Sequence, residues 1–200
     1  APLFNDKLTT ILFDLDGTLR FSTPNGNEVM SIYAATLGAP AGDEPRKKAM
    51  RWAYDYWADS ETLANDTEAF GRSKDEFWIN YTHRVLIALG CSKELADEIN
   101  PQVAEYMDKN YVSGDFIPDE TYTTLQQLKD DGYKLGLVTN RRGAIDEYLD
   151  EINLKDYWDF YFHAGLINIW KPDPGIFHHA LELADATPEE CIYVGDNLYA

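Results

Sequence analysis

The amino-acid sequence predicts an α/β fold, a parallel sheet with an all-helical domain inserted after its first strand. Three observations predict it. Four short apolar runs, at residues 10–13, 134–139, 160–163 and 191–195, have the length and make-up of buried strands. Helical spacing of apolar residues fills the gaps between the last three. The first and second runs are separated by over a hundred residues, too many for one crossover, and from about Asn25 to Asn110 these read as helical.

The elements follow in order. The first run, Thr10 to Phe13, ends at two aspartates, Asp14 and Asp16. In the insertion, Met50, Ala53, Tyr54 and Trp57 form one apolar stripe, and Trp78, Tyr81, Val85 and Leu89 form another. Stripes at that spacing are the core of a small helical bundle. Ser73-Lys74-Asp75-Glu76 reads as a capping box that opens the second stripe. His83-Arg84 reads as a solvated helix face, and Gly38, Gly42 and Gly90 punctuate the helices. Tyr122, Leu125 and Leu128 form the helix leading back to the second strand. Ile145, Tyr148, Leu149 and Ile152 mark the next helix, and Phe177, Ala180, Leu181 and Ala184 the one after. Thr187-Pro188-Glu189-Glu190 reads as a capped turn before the last strand. Alternating strands and helices give parallel sheets with right-handed crossovers. The sheet domain therefore takes residues 1–20 and 115–200, and the helical domain residues 21–114.

Charge and composition narrow the function. A formal net charge of −18 argues against a nucleic-acid partner, since a phosphate backbone needs a basic face. It also argues against an anionic membrane surface. No apolar stretch approaches the roughly 18 residues that cross a bilayer. The first ten residues carry no basic region followed by an apolar one, so the expected location is the cytoplasm. Cys91 and Cys191 lack metal-ligand spacing and read as reduced thiols. Nothing in the sequence speaks to oligomeric state.

The chemistry gathers at one sheet edge. In open parallel sheets, ligands bind outside the carboxyl ends of the strands. The first strand delivers Asp14 and Asp16 there, and the second Thr139-Asn140-Arg141. The third is followed by Lys171 in WKPDPG, and the fourth by Gly195-Asp196-Asn197. Carboxylates at that density repel unless a cation sits among them. Hard oxygen donors without His or Cys point to Mg2+. Arg20 sits where the chain leaves for the insertion, placed either to reach an anionic substrate group or to lie on the surface. Arg141 and Arg142 read as solvated residues at a helix start.

The set DLDGT, VTN, KPDP and GD, in this order, resembles the haloacid dehalogenase-like superfamily. The resemblance implies a Rossmann-like core carrying a helical cap domain. It implies a Mg2+-dependent phosphomonoester hydrolase acting on a small phosphorylated metabolite. In that reading Asp14 is the nucleophile and Asp16 the general acid and base. Thr139 and Asn140 bind the transferring phosphoryl oxygens, and Lys171 neutralises charge on them and on Asp14. Asp196 holds Mg2+ together with the Asp14 carboxylate and the backbone carbonyl of Asp16. Within that resemblance, whose dehalogenating branch lacks an aspartate at this place, Asp16 implies phosphoryl transfer and not carbon–halogen cleavage.

One departure stands out. The family's fourth motif usually has a second acid four or five residues after the first, yet four after Asp196 is Ala200, the last residue. The expectation is a truncated chain, lacking a further strand and helix, with weakened Mg2+ binding. Two other functions share the motifs. One is a phosphosugar mutase, which returns the phosphate to its substrate. The other is a catalytically impaired phosphate-binding protein.

Overall fold

The computed structural model describes residues 7–58 and 60–198. These divide into two compact units, residues 7–21 with 115–198, and residues 22–114. The expected second acid of the fourth motif, at Ala200, lies outside the described residues, as does most of the N-terminal stretch read for a leader.

Residues 22–114 form a helical unit. Its described helices are α1 (Gly26–Thr36), α2 (Asp43–Trp57), α3 (Glu61–Phe70), α4 (Asp75–Leu89) and α5 (Lys93–Asn110). Side chains cap three of them: Asn25 accepts from the Glu28 amide, Ser60 from Leu63, and Ser92 from Leu95. The capping box at Ser73 does not form. Lys74 is extended and is itself the N-cap, so α4 starts a residue too late for Ser73 to reach its first amides. Phe77, Val85, Leu86, Leu89, Ala96 and Val103 fill the bundle core. On α2 the buried face is Ala49, Ala53 and Tyr56, leaving Tyr54 exposed, and Trp78 on α4 is half exposed.

The bundle also buries a polar network. Asp66 is 3% exposed. Its carboxylate accepts from Arg84 Nε at 2.7 Å and Nη2 at 2.8 Å, and from the Tyr56 hydroxyl at 3.0 Å. Arg84 therefore turns one end of its guanidinium inward, where the sequence predicted a solvated helix face. A second chain runs from Trp57 Nε1 to the Tyr81 hydroxyl at 3.1 Å, and from that hydroxyl to Asn27 Oδ1 at 2.9 Å.

The other unit is built on β1 (Thr10–Phe13). Where the chain leaves for the helices and returns, β2 (Phe21–Thr23) and β3 (Gly114–Phe116) pair as a ribbon. β4 (Lys134–Thr139), β5 (Phe160–His163) and β6 (Cys191–Val194) join β1 in one parallel sheet, ordered β5-β4-β1-β6. The helices α6 (Asp119–Asp130), α7 (Asp146–Glu151), α8 (Ala164–Ile167) and α9 (Pro174–Ala184) connect these strands. Ile11, Phe13, Leu135 and Leu137 pack on one face with Leu125, Ile145 and Leu149. Leu12, Val138 and Phe162 pack on the other with Ile176 and Ala180. Cover on both faces is why these strands read as unbroken apolar runs. The capped turn before β6 forms as read, with the Thr187 amide donating to Glu190 at 2.8 Å. The described residues contain no helix long and apolar enough to cross a membrane.

The Asp66 network generates a prediction. Arg84→Met leaves a buried carboxylate with only the Tyr56 hydroxyl, and should lower stability by about 1–3 kcal/mol. Urea unfolding followed by tryptophan fluorescence checks it, since Trp52, Trp57 and Trp78 all report on the helical unit. An unchanged midpoint would show that the network carries no stability.

Candidate active site

The strand order reverses between β1 and β6, and in open α/β sheets that switch point opens a crevice for ligands. Asp14 ends β1 there, its amide donating to the Val194 carbonyl of β6 at 2.9 Å. Leu15 points inward and is fully buried, which sends Asp14 and Asp16 to the edge on either side of it. Gly17 turns the chain with φ +89°. A Cβ on Gly17 would stand 2.3 Å from Asp196 Oδ2, so only glycine lets the Asp196 carboxylate lie against this loop. The DGT and GD motifs are therefore packed on one another.

Lys171 enters from the loop before α9. It is 1% exposed, which for a charged group demands compensation. Its Nζ donates to Asp14 Oδ1 at 2.8 Å, to the Tyr193 hydroxyl at 2.7 Å and to the Val138 carbonyl at 3.1 Å. All three ammonium protons have partners. Burial pushes the Asp14 carboxyl above the usual range, and the Lys171 ammonium and the Leu15 amide pull against that rise. Burial and the charges of Asp14 and Asp196 also push the Tyr193 phenol well up, so it stays protonated.

Asn140 clamps the same lysine by its backbone. Its Nδ2 donates to the Lys171 carbonyl at 2.9 Å, and its Oδ1 accepts from the Lys171 amide at 2.7 Å. The sequence assigned this carboxamide to phosphoryl oxygens, but here it fixes the loop that delivers Lys171. Thr139 is buried at the end of β4, its Oγ1 accepting from the Arg141 amide at 3.4 Å.

Asp16 carries a different partnership. Arg141 grips it with two bonds, Nε to Oδ2 at 2.8 Å and Nη2 to Oδ1 at 2.9 Å. Arg20 Nη1 adds a bond to Oδ1 at 3.2 Å while the rest of its guanidinium holds Asp115. Arg20 is thus spent on two carboxylates of its own unit, where the sequence left it between a substrate anion and the surface. Arg141 is not the solvated residue its position suggested: its guanidinium stacks on the Tyr148 ring, 3.9 Å from the centroid.

Sequence reasoning missed two site residues, Tyr193 and Arg141. Tyr193 reads only as a strand residue, although its place two residues before Gly195 on the switch-point strand was a usable signal. Arg141 directly follows Thr139-Asn140, but its bond to a residue 125 positions away leaves no local trace.

Among the described residues no three His, Cys, Asp or Glu side chains gather as a metal cluster. Asp14 and Asp196 nevertheless supply two carboxylates at one edge, and the Gly17 cradle holds the second in place. Two carboxylates completed by water and phosphate oxygens are what Mg2+ takes, so the residues fit. The Asp16 carboxylate is committed to arginines, which leaves its backbone carbonyl as its available donor. A separate cavity of about 380 Å3 lies within the helical unit, lined by residues that include Asn27, Ser31, Arg46 and Lys47.

Residues 8–199 match the family model described as haloacid dehalogenase-like hydrolase. Proteins named pyrophosphatase PpaX are similar, that of Bacillus mycoides being 29% identical over 96% of this chain and 76% of its own. Among solved structures, a predicted phosphoglycolate phosphatase from Haemophilus somnus superposes with TM-score 0.55 at 18% identity, covering 97% of this chain and 80% of that one. A putative phosphoglycolate phosphatase from Lactobacillus plantarum gives TM-score 0.52 at 20% identity, covering 96% and 79%. These likenesses show the shared fold, a Rossmann-like core plus helical cap. With Asp14, Asp16, Lys171 and Asp196 at one switch point and a family match along nearly its whole length, the chain belongs to the haloacid dehalogenase-like hydrolases.

Proposed function

We propose that this hydrolase is a Mg2+-dependent phosphatase that cleaves a small phosphorylated metabolite through an aspartyl-phosphate on Asp14. Residues 7–21 and 115–198 are its catalytic core and residues 22–114 its cap. The observation that carries the reading is the buried Lys171 ammonium, 2.8 Å from Asp14 Oδ1 and fully committed to acceptors at the sheet edge. A buried lysine so bound has no route to solvent and one charged neighbour to serve. It fits a site where negative charge accumulates on Asp14 and on a phosphoryl group.

The chemistry then follows from the chain's own groups. An Asp14 oxygen attacks phosphorus in line, forming one P–O bond as the bond to the leaving oxygen breaks. Asp16 gives its proton to that leaving oxygen, then accepts one from the water that releases phosphate and restores Asp14. Thr139, at the end of β4, offers its hydroxyl to the phosphoryl oxygens. Lys171 holds Asp14 in one orientation, and Tyr193 and Asn140 hold Lys171. Asp14, Asp196 and the Asp16 carbonyl would hold Mg2+, which when bound screens the negative charge shared by Asp14 and the phosphoryl oxygens.

The relatives' names support hydrolysis over a mutase's return of phosphate, and suggest inorganic pyrophosphate and phosphoglycolate as first candidate substrates. Neither carries a positive charge, and with a net charge of −18 the protein offers them no long-range steering. Local cations therefore have to supply the attraction.

Three outcomes test the reading. Phosphate release from p-nitrophenyl phosphate with Mg2+ should be abolished in Asp14→Asn; full activity in that variant would refute the nucleophile. Dialysis against EDTA should stop turnover and added Mg2+ restore it, whereas turnover indifferent to chelation would remove the metal from the account. Tyr193→Phe takes away one of three acceptors from Lys171. It should lower kcat roughly tenfold, the equivalent of about one hydrogen bond, and an unaltered kcat would mean that the phenol does not position the lysine.

A further inference from the structure

Asp16 poses a problem for the reaction just described. A general acid must present an oxygen to the leaving group. Both Asp16 oxygens are held, Oδ2 by Arg141 Nε and Oδ1 by Arg141 Nη2 with Arg20 Nη1. The two arginines are not equivalent. Arg20 is anchored at its other edge by Asp115, whereas Arg141 has, among the described residues, Asp16 as its one carboxylate partner in salt-bridge range. Withdrawing Arg141 leaves Oδ1 tied to Arg20 and releases Oδ2.

We propose that Arg141 is a gating residue that senses a second anionic group on the substrate: an oxyanion on the leaving side draws its guanidinium off Asp16 and frees Oδ2 for proton transfer. The inference rests on the phosphatase reading above. Four features of the site support it. Arg141 lies two residues beyond Thr139 at the same sheet edge. Its backbone is fixed, its carbonyl accepting from the Gly165 amide at 3.1 Å. Gly165 packs so close that a Cβ there would stand 1.9 Å from the Arg142 carbonyl oxygen, so the side chain and not the loop is what moves. The flat Tyr148 ring beneath the guanidinium is a surface over which it can shift.

The charges favour the exchange. The Arg141 and Asp16 side chains are 27% and 39% exposed. Both groups are therefore within reach of a substrate anion, although two parallel bonds hold them more firmly than an ordinary surface pair. A phosphate or carboxylate on the substrate offers the same two-pronged acceptor as Asp16, and phosphate brings more charge. Substrates with an anionic leaving group, such as a second phosphate or a carboxylate, therefore open the gate, whereas those with a neutral one rely on its spontaneous opening and turn over more slowly.

The test compares kcat/KM, with Mg2+, for pyrophosphate, phosphoglycolate and phenyl phosphate in the unaltered protein and in Arg141→Met and Arg141→Lys. The gate predicts that the preference for either two-anion substrate over phenyl phosphate falls roughly tenfold or more in Arg141→Met, the loss of a charged two-pronged contact. Arg141→Lys, which keeps charge without the fork, should fall in between. Pyrophosphate against phosphoglycolate tells which oxyanion the gate prefers. If all three rates fall by the same factor, Arg141 is merely structural and the gate is refuted. A second readout needs no turnover: the 15N signal of the Arg141 Nε–H, identified by its loss in Arg141→Lys, should shift when pyrophosphate or phosphoglycolate is added to the unaltered protein. An unmoved signal overturns the gate. Absence of phosphate release from every substrate overturns the phosphatase reading instead, and the NMR result still decides the gate.

Discussion

Burying the Lys171 ammonium beside Asp14 is the constraint on which the rest of the site depends. Neither charge is tolerable alone at that depth, and removing one partner of such a pair typically costs about 3–5 kcal/mol. The pair survives because every proton of the ammonium is met, by Asp14, Tyr193 and the Val138 carbonyl. Those acceptors come from β1, β6 and β4, so three strands must be in register before the lysine can be buried. The parallel sheet, covered on both faces at β1 and β4, holds that register. Asn140 then locks the loop carrying Lys171, with two hydrogen bonds that leave its backbone little freedom.

The two aspartates of DLDGT live in different electrostatic worlds. Asp14 sits deep, against one lysine, and its carboxyl is pushed up by burial. Asp16 sits at the half-exposed rim against two arginines. This split relieves the repulsion that the sequence alone made puzzling. It also separates the tasks proposed for them: one group is fixed for attack, while the other stays near solvent to exchange protons. Gly17 makes the arrangement possible, because a side chain there would collide with Asp196.

Much of this was legible in the sequence, for physical reasons that can be named. Strands buried on both faces leave continuous apolar runs, and the strand ends announce themselves where Asp14, Thr139 and Asp196 interrupt those runs. The helical insertion is visible because a crossover cannot absorb so many residues. What was hidden depends on pairing between distant positions. Arg141 meets Asp16, Tyr193 meets Lys171, and Arg84 meets Asp66 only once the chain has folded. Asn140 was read for a phosphate contact, yet its amide faces a backbone that no local pattern could place beside it. The Ser73 capping box failed for a local reason, since Lys74 is extended and starts the helix one residue later.

The central claim is that Asp14, oriented by Lys171, takes the phosphoryl group. It is tested most directly by rapid quench of the enzyme in acid during turnover of phosphoglycolate or pyrophosphate, followed by mass spectrometry of the peptide spanning residues 10–20. The account predicts a phosphoryl adduct on Asp14 that appears and decays with turnover and is absent in Asp14→Asn. Turnover with no adduct on that peptide, or an adduct on another residue, would contradict it.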